Sequence, residues 1–350
     1  MFASIMPRCD CILPAMKKLR WGILGTGNIA NQFAADVMHA RRGTLAAVGS
    51  RSADSAAAFA QRYNIPTAHG SYDALLADPD IDAIYLTLPN SMHHAWTLRA
   101  LEAGKHVLCE KPIAANAVQA AEMFDASRRH GRVLMEAFMY KSHPLIHKVI
   151  ETLPSIGRVK LVRTSFCFCV SNVHANTRFS TELAGGALMD IGCYCTSFSR
   201  MIAGGEPIDV HCRGHLHESG VDDYAAGVLA FANGILATFT CALTVQADNT
   251  VSICGEEGYI EIPVPWKPPA ARSVFTVGYS QRPKMDGAGK GDRPEPRTFE
   301  VSCDRPLYAL EADDFAAAVL DGAPLTVTEA DTMGNMRVLD ELRRQVGVAF

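Results

Sequence analysis

The sequence lacks the features that mark metal-binding and disulfide-rich proteins. None of its eleven cysteines stands in a Cys-x-x-Cys pair, the usual spacing of a zinc site. Three pairs have the closer Cys-x-Cys spacing: Cys9/Cys11, Cys167/Cys169 and Cys193/Cys195. We therefore expect no metal site and no disulfide framework, but free and mostly buried thiols in a reducing compartment, the cytoplasm.

Charge and hydropathy argue against two further classes of partner. The 350 residues include 33 basic and 37 acidic side chains, a net charge of −4, and no basic block that would neutralise a run of phosphates. Residues 1–15 contain no sustained apolar run, which argues against a secretory signal or a membrane anchor. We expect no nucleic-acid or membrane partner, and a disordered tail over residues 1–16, with Met16 as a candidate start.

The length and the hydropathy pattern predict two domains, over residues 17–140 and 141–350. In the first, short apolar runs alternate with longer amphipathic ones, which is typical of βαβ units and a doubly wound parallel α/β sheet. The predicted strands are 19–24, 44–50, 81–87, 106–110 and 132–136. The predicted helices are 29–39, 52–63, 92–102 and 117–130, the last ending at Gly131.

The second domain has the alternating pattern of half-buried antiparallel strands. The predicted strands are 159–170, 221–231, 235–245 and 250–262, and the predicted helices are 188–202, 308–320 and 329–346. Residues 266–297 are rich in proline, glycine and charge, which predicts a long flexible loop. We therefore expect an α+β domain with an open, mostly antiparallel sheet.

A glycine-rich run follows the first predicted strand and opens the first helix. Residues 22–30 read Gly-Ile-Leu-Gly-Thr-Gly-Asn-Ile-Ala, a Gly-x-Gly-x-x-Ala dinucleotide fingerprint. Gly25 permits the tight turn, Gly27 lets the backbone approach a pyrophosphate, and Ala30 allows the helix to pack on the strand. The helix N-terminus favours the negative charge. The run predicts a Rossmann domain that binds NAD or NADP.

The end of the second predicted strand lacks the acidic residue that usually holds the ribose 2′-hydroxyl of NAD. Arg51 stands there instead, between Ser50 and Ser52, and its guanidinium can pair with a 2′-phosphate. We therefore expect NADP to be preferred over NAD. A solvated Arg51 with NAD bound is the alternative.

Two polar segments follow the next strands of the same sheet. Residues 88–94 read Leu-Pro-Asn-Ser-Met-His-His, in which Asn90 is a candidate helix cap and His93 a candidate hydrogen-bond partner of cofactor or substrate. Residues 110–112 form a Glu-Lys-Pro triplet at the end of a strand. Because doubly wound sheets bind ligands beyond the carboxyl ends of their strands, Lys111 is expected where nicotinamide and substrate meet.

A further run carries two side chains suited to proton transfer. Residues 182–194 read Glu-Leu-Ala-Gly-Gly-Ala-Leu-Met-Asp-Ile-Gly-Cys-Tyr. Asp190 and Tyr194 are four residues apart on a predicted helix, so they share a face. A carboxylate beside a phenol suits the binding of a polyol and the transfer of a proton. The alternative is an aspartate that stabilises the helix dipole and a tyrosine that packs inward.

Four motifs in this order resemble those of the glucose–fructose oxidoreductase/inositol dehydrogenase/rhizopine-catabolism (Gfo/Idh/MocA) superfamily. They are Gly-x-Gly-x-x-Ala, Pro-Asn-x-x-His, Glu-Lys-Pro and Gly-Gly-Ala-Leu-x-Asp-x-Gly-x-Tyr. Residues 135–144 look most like the branch of NADP-dependent D-xylose 1-dehydrogenases and dimeric dihydrodiol dehydrogenases. The resemblance implies an NADP-dependent dehydrogenase of sugars, polyols or vicinal diols. It also implies a homodimer or homotetramer, which a monomer in light scattering would contradict.

The resemblance further implies roles for the site residues. Lys111 and Tyr194 would be the catalytic pair, Asp190 would hold a substrate hydroxyl, and the lysine cation would favour the phenolate. A cis bond would join Lys111 to Pro112. The residues expected to bind the cofactor are Gly25, Thr26, Gly27, Asn28, Ile29, Ser50, Arg51, Leu88, Asn90, His93, Glu110 and Lys111.

The choice of substrate stays open at this point. Ala184 stands where a third glycine is frequent in the family, and Lys141 where arginine is common. Arg178 is either a substrate contact or a surface ion pair. Two other activities within the superfamily are alternatives: cleavage of glycosides with retained NAD, and non-enzymatic sensing of a nucleotide by a regulator. Lys111 and Tyr194 together favour the dehydrogenase over both.

Overall fold

The computed structural model describes residues 17–174, 176–279 and 294–348. The tail expected over residues 1–16, and residues 280–293 of the expected loop, lie outside these ranges. The described residues form two β-sheets, one with six strands and one with eight, together with helices that cover them.

The first sheet has the Rossmann topology. Its strands are β1 (Leu19–Leu24), β2 (Gly43–Gly49), β3 (Thr67–His69), β4 (Ala83–Leu86), β5 (His106–Glu110) and β6 (Leu134–Ala137). The helices between them are α1 (Asn28–Val37), α2 (Ala53–Tyr63), α3 (Tyr72–Ala77), α4 (Asn90–Glu102) and α5 (Ala117–His130). All pairings are parallel, in the order β3-β2-β1-β4-β5-β6. Because the order reverses between β1 and β4, a crevice forms at their carboxyl ends.

Local sequence explains these elements well. Every residue of β4 is buried, as expected of a strand covered by helices on both faces. The Asn116 side chain accepts a hydrogen bond from the Gln119 N–H and caps α5, which ends at Gly131 with φ of +60°. The five strands and four helices predicted here are confirmed to within two residues. The short elements β3 and α3 were missed.

The second sheet is mixed and mostly antiparallel, as predicted. Its strands are β7 (Val159–Cys167), β8 (Pro207–Leu216), β9 (Asp222–Phe231), β10 (Leu236–Ala242), β11 (Val251–Gly255), β12 (Tyr259–Ile262), β13 (Ser273–Gly278) and β14 (Arg297–Val301). The order is β14-β13-β12-β11-β7-β10-β9-β8, and only the pairing of β7 with β10 is parallel within the described residues.

Two predictions for this sheet are wrong. The single strand expected over 250–262 is two strands, because the chain turns between Gly255 and Gly258, whose N–H and carbonyl are 2.8 Å apart. The flexible loop expected over 266–297 contains β13, which alternates buried and half-buried residues and pairs with both β12 and β14. The prolines and glycines on either side of β13 obscured that alternation.

Four more helices complete the described part of the fold: α6 (Pro144–Thr152), α7 (Cys193–Ala203), α8 (Leu307–Asp321) and α9 (Glu329–Val346). A turn of π-helix (Leu188–Gly192) precedes α7, so the helix expected over 188–202 is not uniform. Helix α8 packs against the first sheet and α1. The rings of Phe315 and Trp21 lie 5.3 Å apart, and the Tyr308 N–H donates to the Asp36 carboxylate at 3.1 Å.

The described residues contain nine cysteines, and all nine are free. Within the same ranges, no three His, Cys, Asp or Glu side chains are grouped so that they could hold a metal ion. None of the described helices combines the length and the apolar character needed to cross a membrane.

Candidate active site

The glycine turn after β1 has the geometry that a dinucleotide requires. Gly25 has φ of +113°, and a Cβ there would lie 2.7 Å from the Thr87 hydroxyl, so the turn accepts only glycine. Gly27 is different, because a Cβ at that position would meet no protein atom within 4 Å. The space in front of Gly27 and the first N–H groups of α1 therefore suits a pyrophosphate.

The end of β2 presents a cation to solvent. Arg51 is exposed, whereas Ser50 is buried and its N–H donates to the His69 carbonyl at 3.1 Å. The Ser52 hydroxyl accepts from the Ser55 N–H and caps α2. Burial raises the pKa of the neighbouring Tyr72, and the Arg51 charge opposes that shift. Arg51 is thus accessible to a ligand at the predicted position.

Asn90 does not act as a helix cap. Helix α4 begins at Asn90 itself, after Pro89, and no side chain caps it. The Asn90 amide instead donates to the Ala184 carbonyl at 2.8 Å, across 94 positions of sequence. It therefore ties the edge of the first sheet to the glycine run before the π-turn. Ala184 itself has φ of +55°, a conformation in which glycine would be unstrained.

His93 also differs from its predicted role. It is fully buried, with Nδ1 2.9 Å from the Pro112 carbonyl and Nε2 2.7 Å from the Leu88 carbonyl. Burial lowers the pKa of His93 to about 4, so the ring is neutral near pH 7. Since both nitrogens face backbone carbonyls, neither is directed at a ligand. His93 borders the site, and its neutral ring donates a hydrogen bond to one of these two carbonyls, since it carries a single N–H.

Glu110 is a buried carboxyl at the carboxyl end of β5. Its Oε1 accepts a short hydrogen bond from the buried Tyr85 hydroxyl, and its Oε2 lies 3.2 Å from the Lys111 N–H. Burial raises the pKa of Glu110. These contacts fix the backbone at Lys111, whose bond to Pro112 is cis, as the family resemblance implied.

The Lys111 ammonium lies against the π-turn of the second domain. Its Nζ donates to the Asp190 carbonyl at 2.8 Å and to the Asp190 carboxylate at 3.0 Å. Burial alone would lower the pKa of Lys111, but nearby negative groups, the Asp190 carboxylate foremost, outweigh it and the pKa rises. The two side chains form a charged pair in which both members are largely buried.

Arg178 shares the same carboxylate. Its Nε donates to the other oxygen of Asp190 at 2.5 Å. Burial alone would raise the pKa of Asp190, but the Lys111 and Arg178 cations outweigh it and the pKa falls below its usual value. Arg178 therefore forms an ion pair inside the site, and its charge helps to keep the Asp190 carboxylate ionised.

The glycines before the π-turn are explained by close contacts. A Cβ at Gly185 would overlap the Arg178 carbonyl, and one at Gly186 would overlap the Asp222 carboxylate. Asp222 is fully buried and accepts the Leu188 N–H at 2.7 Å. This packing sets where the π-turn begins and hence where Asp190 points.

Tyr194 lies in an aromatic wall beside Lys111. The ammonium is 5.2 Å from the centroid of the tyrosine ring, and the hydroxyl is 3.5 Å from the Met139 sulfur. Burial raises the pKa of Tyr194 well above its usual value, and the acidic groups around it add to the shift. The resemblance implied a phenolate favoured by Lys111, but the pKa of Tyr194 is raised and not lowered, because burial disfavours the charged form. The phenol is neutral.

These groups line one cavity of about 400 Å³ between the two sheets. The strand ends, loops and helices of the Rossmann domain supply Ile29, Thr87, Leu88, Asn90, His93, Glu110 and Lys111. Later parts of the chain supply Phe166, Phe168, Arg178, Asp190, Ile191, Tyr194, Lys267 and Tyr308. The structure thus unites the predicted residues from β4, β5 and the π-turn in one site. Ser50 and Arg51 lie outside this cavity, at the end of β2.

Lys267 and Tyr308 are among the lining residues that the sequence analysis did not name. Lys267 falls in the segment assigned to a flexible loop, where an isolated lysine carries no signal. Tyr308 opens α8, and its buried hydroxyl has no hydrogen-bond partner among the described residues. An aromatic residue at the start of a helix is ordinary core material, so the sequence gave no reason to place it in the site.

Family models match both halves of the chain. Residues 19–138 match the NAD-binding Rossmann fold of the GFO/IDH/MocA oxidoreductase family, and residues 154–261 match the GFO/IDH/MocA C-terminal domain. The chain is 35% identical to trans-1,2-dihydrobenzene-1,2-diol dehydrogenase of Xenopus laevis, over 95% of this chain and 99% of the relative. It is 33% identical to D-xylose 1-dehydrogenase (NADP(+)) 2 of Haloferax volcanii, over 93% and 96% of the two chains.

Solved structures agree over nearly the whole length. A 3-ketoreductase of Actinomadura kijaniata, in complex with NADP and TDP-benzene, superposes with a TM-score of 0.84 at 27% identity, over 94% of this chain and 98% of its own. An aldose-aldose oxidoreductase of Caulobacter crescentus, complexed with glycerol, gives 0.83 at 26% identity over the same shares. With these similarities and the dinucleotide geometry after β1, the chain belongs to the Gfo/Idh/MocA family of NAD(P)-dependent oxidoreductases.

Proposed function

We propose that the chain is an NADP-dependent dehydrogenase that acts on the CH–OH group of an aldose, a polyol or a vicinal diol. The observation that carries the proposal is the position of Lys111, whose ammonium contacts Asp190 and covers the ring of Tyr194 at the carboxyl edge of the Rossmann sheet. The sugar and diol dehydrogenases among the relatives, and the NADP in a related structure, support the same class of reaction.

The chemistry requires a hydride and a proton to leave the same CH–OH group. Bound NADP would accept the hydride. The proton must pass to a protein group, and Lys111 and Tyr194 lie beside Asp190 on that wall of the cavity and can exchange one, whereas the Arg178 guanidinium keeps its charge. In the reverse direction, the ammonium and the neutral phenol would donate hydrogen bonds to the carbonyl oxygen as charge develops on it. Asp190 would orient a substrate hydroxyl.

The protonation of this pair predicts opposite pH dependences for the two directions. Lys111 and Tyr194 both have raised pKa values, so both hold their protons at neutral pH. Oxidation of the alcohol transfers a proton to the pair, and reduction of the carbonyl group removes a proton from it. We therefore expect initial kcat/KM for alcohol oxidation to rise with pH without a plateau below about pH 10, and carbonyl reduction to be faster at lower pH. The titratable and charged groups near the pair are Glu110, Arg178, Asp190, Cys193, Lys267 and Tyr308.

Initial rates in both directions, in buffers of constant ionic strength, measure this profile. His93 contributes nothing to it, because burial lowers its pKa to about 4. A plateau of the oxidation rate near neutral pH would contradict the assignment of the proton to this pair.

The preference for NADP rests on Arg51. Replacing Arg51 by alanine should lower kcat/KM with NADP about 10- to 100-fold, the worth of a charge-assisted hydrogen bond to the 2′-phosphate. The value with NAD, which has no such phosphate, should stay within about threefold. Arg129→Ala is the matched control, since Arg129 is an exposed arginine at the end of α5. Equal losses with both cofactors, or a wild-type preference for NAD, would contradict the proposal.

Two other functions within the family remain as alternatives. A glycosidase with retained NAD would cleave chromogenic glycosides without net reduction of added cofactor. A regulator would bind nucleotide and turn over nothing. The position of Lys111 over the ring of Tyr194 favours the dehydrogenase over the regulator, because a sensor has no use for a buried proton-transfer pair.

One assay separates the three functions. Reduced-nicotinamide absorbance is followed with NADP or NAD against a panel of aldoses, polyols and trans-dihydrodiols, with chromogenic glycosides in parallel. We expect net reduction of NADP by at least one member of the panel. Glycoside cleavage alone would support the glycosidase, and tight nucleotide binding with no turnover would support the regulator.

The second sheet supports the proposal of a homodimer or homotetramer. Its outer face carries exposed apolar side chains on adjacent strands: Leu161 on β7, Val228 on β9 and Leu236 on β10. Leu161 and Leu236 are direct partners in the register of the two strands. A neighbouring set of apolar side chains on one sheet face is typical of a surface that another subunit covers.

A further inference from the structure

One cation in the site has no part in the proposed proton transfer. Lys267 follows β12 in the second domain, and its side chain lines the cavity. Its Nζ donates to the Gln32 side-chain carbonyl at 2.9 Å. Gln32 lies in the second turn of α1, the helix whose first turn follows Gly27. A lysine from the second domain thus reaches the helix that receives the dinucleotide.

The neighbours of Lys267 hold its backbone firmly. Trp266 is 3% exposed, and its Nε1–H donates to the Ser165 carbonyl at 2.9 Å. Its ring stacks on Phe166 with centroids 5.6 Å apart. Pro268 and Pro269 follow, and each proline ring restricts the backbone dihedral φ. The backbone from which the lysine side chain extends is therefore restrained by a buried indole on one side and two prolines on the other.

Lys267 differs from the other two cations of the site in the charge of its hydrogen-bond partner. Lys111 and Arg178 share the Asp190 carboxylate, whereas the hydrogen-bond partner of Lys267 is a neutral amide. Glu110 is the first acidic neighbour, but its oxygens already accept from Tyr85 and from the Lys111 backbone. The Lys267 side chain is exposed at the mouth of the cavity, and partial desolvation there lowers its pKa.

We propose that Lys267 is a cofactor-binding residue that pairs with the pyrophosphate of the dinucleotide, from the second domain and opposite the N-terminus of α1. The proposal rests on the proposed dinucleotide function. The position of Lys267 favours the pyrophosphate over the 2′-phosphate as its partner. Lys267 contacts α1, whereas the expected partner of the 2′-phosphate, Arg51, lies at the end of β2. Cofactor binding would then join the second domain to the first through this side chain.

The proposal predicts a specific pattern of affinities. Lys267→Met should weaken the binding of NADP and of NAD by the same factor, about tenfold, because both contain the pyrophosphate. Adenosine 2′-monophosphate lacks the pyrophosphate, so its affinity should not change. Raising the salt concentration should weaken NADP binding less in the variant than in the wild type. Lys267→Arg keeps the charge and should bind NADP within about threefold of the wild type.

The test is calorimetric titration of each ligand into the full chain. Lys160→Met is the matched control, since Lys160 is a half-exposed lysine on β7 that pairs with Glu256. Circular dichroism shows that each variant is folded. Unchanged NADP affinity in Lys267→Met, a loss confined to NADP, or an equal loss with adenosine 2′-monophosphate would overturn the proposal. A wild-type chain that binds neither dinucleotide refutes the proposed function itself, whereas wild-type binding with an unaffected variant refutes only the role of Lys267.

Discussion

Replacement of Lys111 by methionine should lower kcat of the dehydrogenase reaction about 100-fold or more, the usual loss when a group active in proton transfer is removed. Methionine keeps the length and apolar stem of the side chain but removes the ammonium that contacts Asp190 and covers Tyr194. Arg178 still pairs with Asp190, so the π-turn should keep its place. Initial rates of NADPH formation at saturating cofactor measure the effect.

The control for this variant is Lys148→Met. Lys148 is a half-exposed lysine on α6 that pairs with Glu151, away from the cavity. Its replacement should leave kcat unchanged, since exposed ion pairs of this kind contribute little to stability. A Lys111→Met enzyme with kcat within about threefold of the wild type would remove Lys111 from the mechanism.

The second large effect is expected from Tyr194→Phe, which should also lower kcat about 100-fold or more. The variant keeps the ring that packs against Phe166 and Trp266 and loses only the hydroxyl. Because that hydroxyl contacts only the weak acceptor Met139 Sδ among the described residues, its removal should barely change the free energy of unfolding. A loss of activity without a loss of stability would therefore identify a chemical role.

Tyr140→Phe is the matched control for the phenol. The Tyr140 ring lies 5.8 Å from that of Tyr194, and its hydroxyl is 3.2 Å from the Ser197 hydroxyl in the core. This variant should lose about 1 kcal/mol of stability and keep its kcat. Thermal melting and steady-state kinetics on both variants decide the matter, and the reverse pattern would exclude Tyr194 as a proton donor or acceptor.

Much of the fold could be read from local pattern because its main signals are local. The left-handed turn at Gly25, the apolar runs of the strands and the helix caps are each visible in a few consecutive residues. The same is true of Asp190 and Tyr194, whose spacing placed them on one wall. The π-turn before α7 was not foreseen, since it depends on the packing of Gly186 against Asp222.

The parts of the site that could not be read depend on distant contacts. Asn90 is of a residue type that often caps helices, yet its amide donates a hydrogen bond to the Ala184 carbonyl, 94 positions away. His93 is of a residue type that often binds ligands, yet its two ring nitrogens face the Pro112 and Leu88 carbonyls. Burial raises the pKa of Tyr194, and burial cannot be deduced from the spacing of two residues.

The central claim is that a hydride passes between a substrate CH–OH carbon and nicotinamide in the cavity lined by Lys111, Asp190 and Tyr194. Isotope transfer tests this claim most directly. Aldoses deuterated at C1, with D-[1-²H]xylose first, are incubated with the enzyme and NADP. The mass of the reduced cofactor is then measured by mass spectrometry. The account predicts one deuterium in NADPH, and about 100-fold less of this product with Lys111→Met at matched times within the initial-rate phase. Reduced cofactor without deuterium, or deuterium released to water, would contradict it.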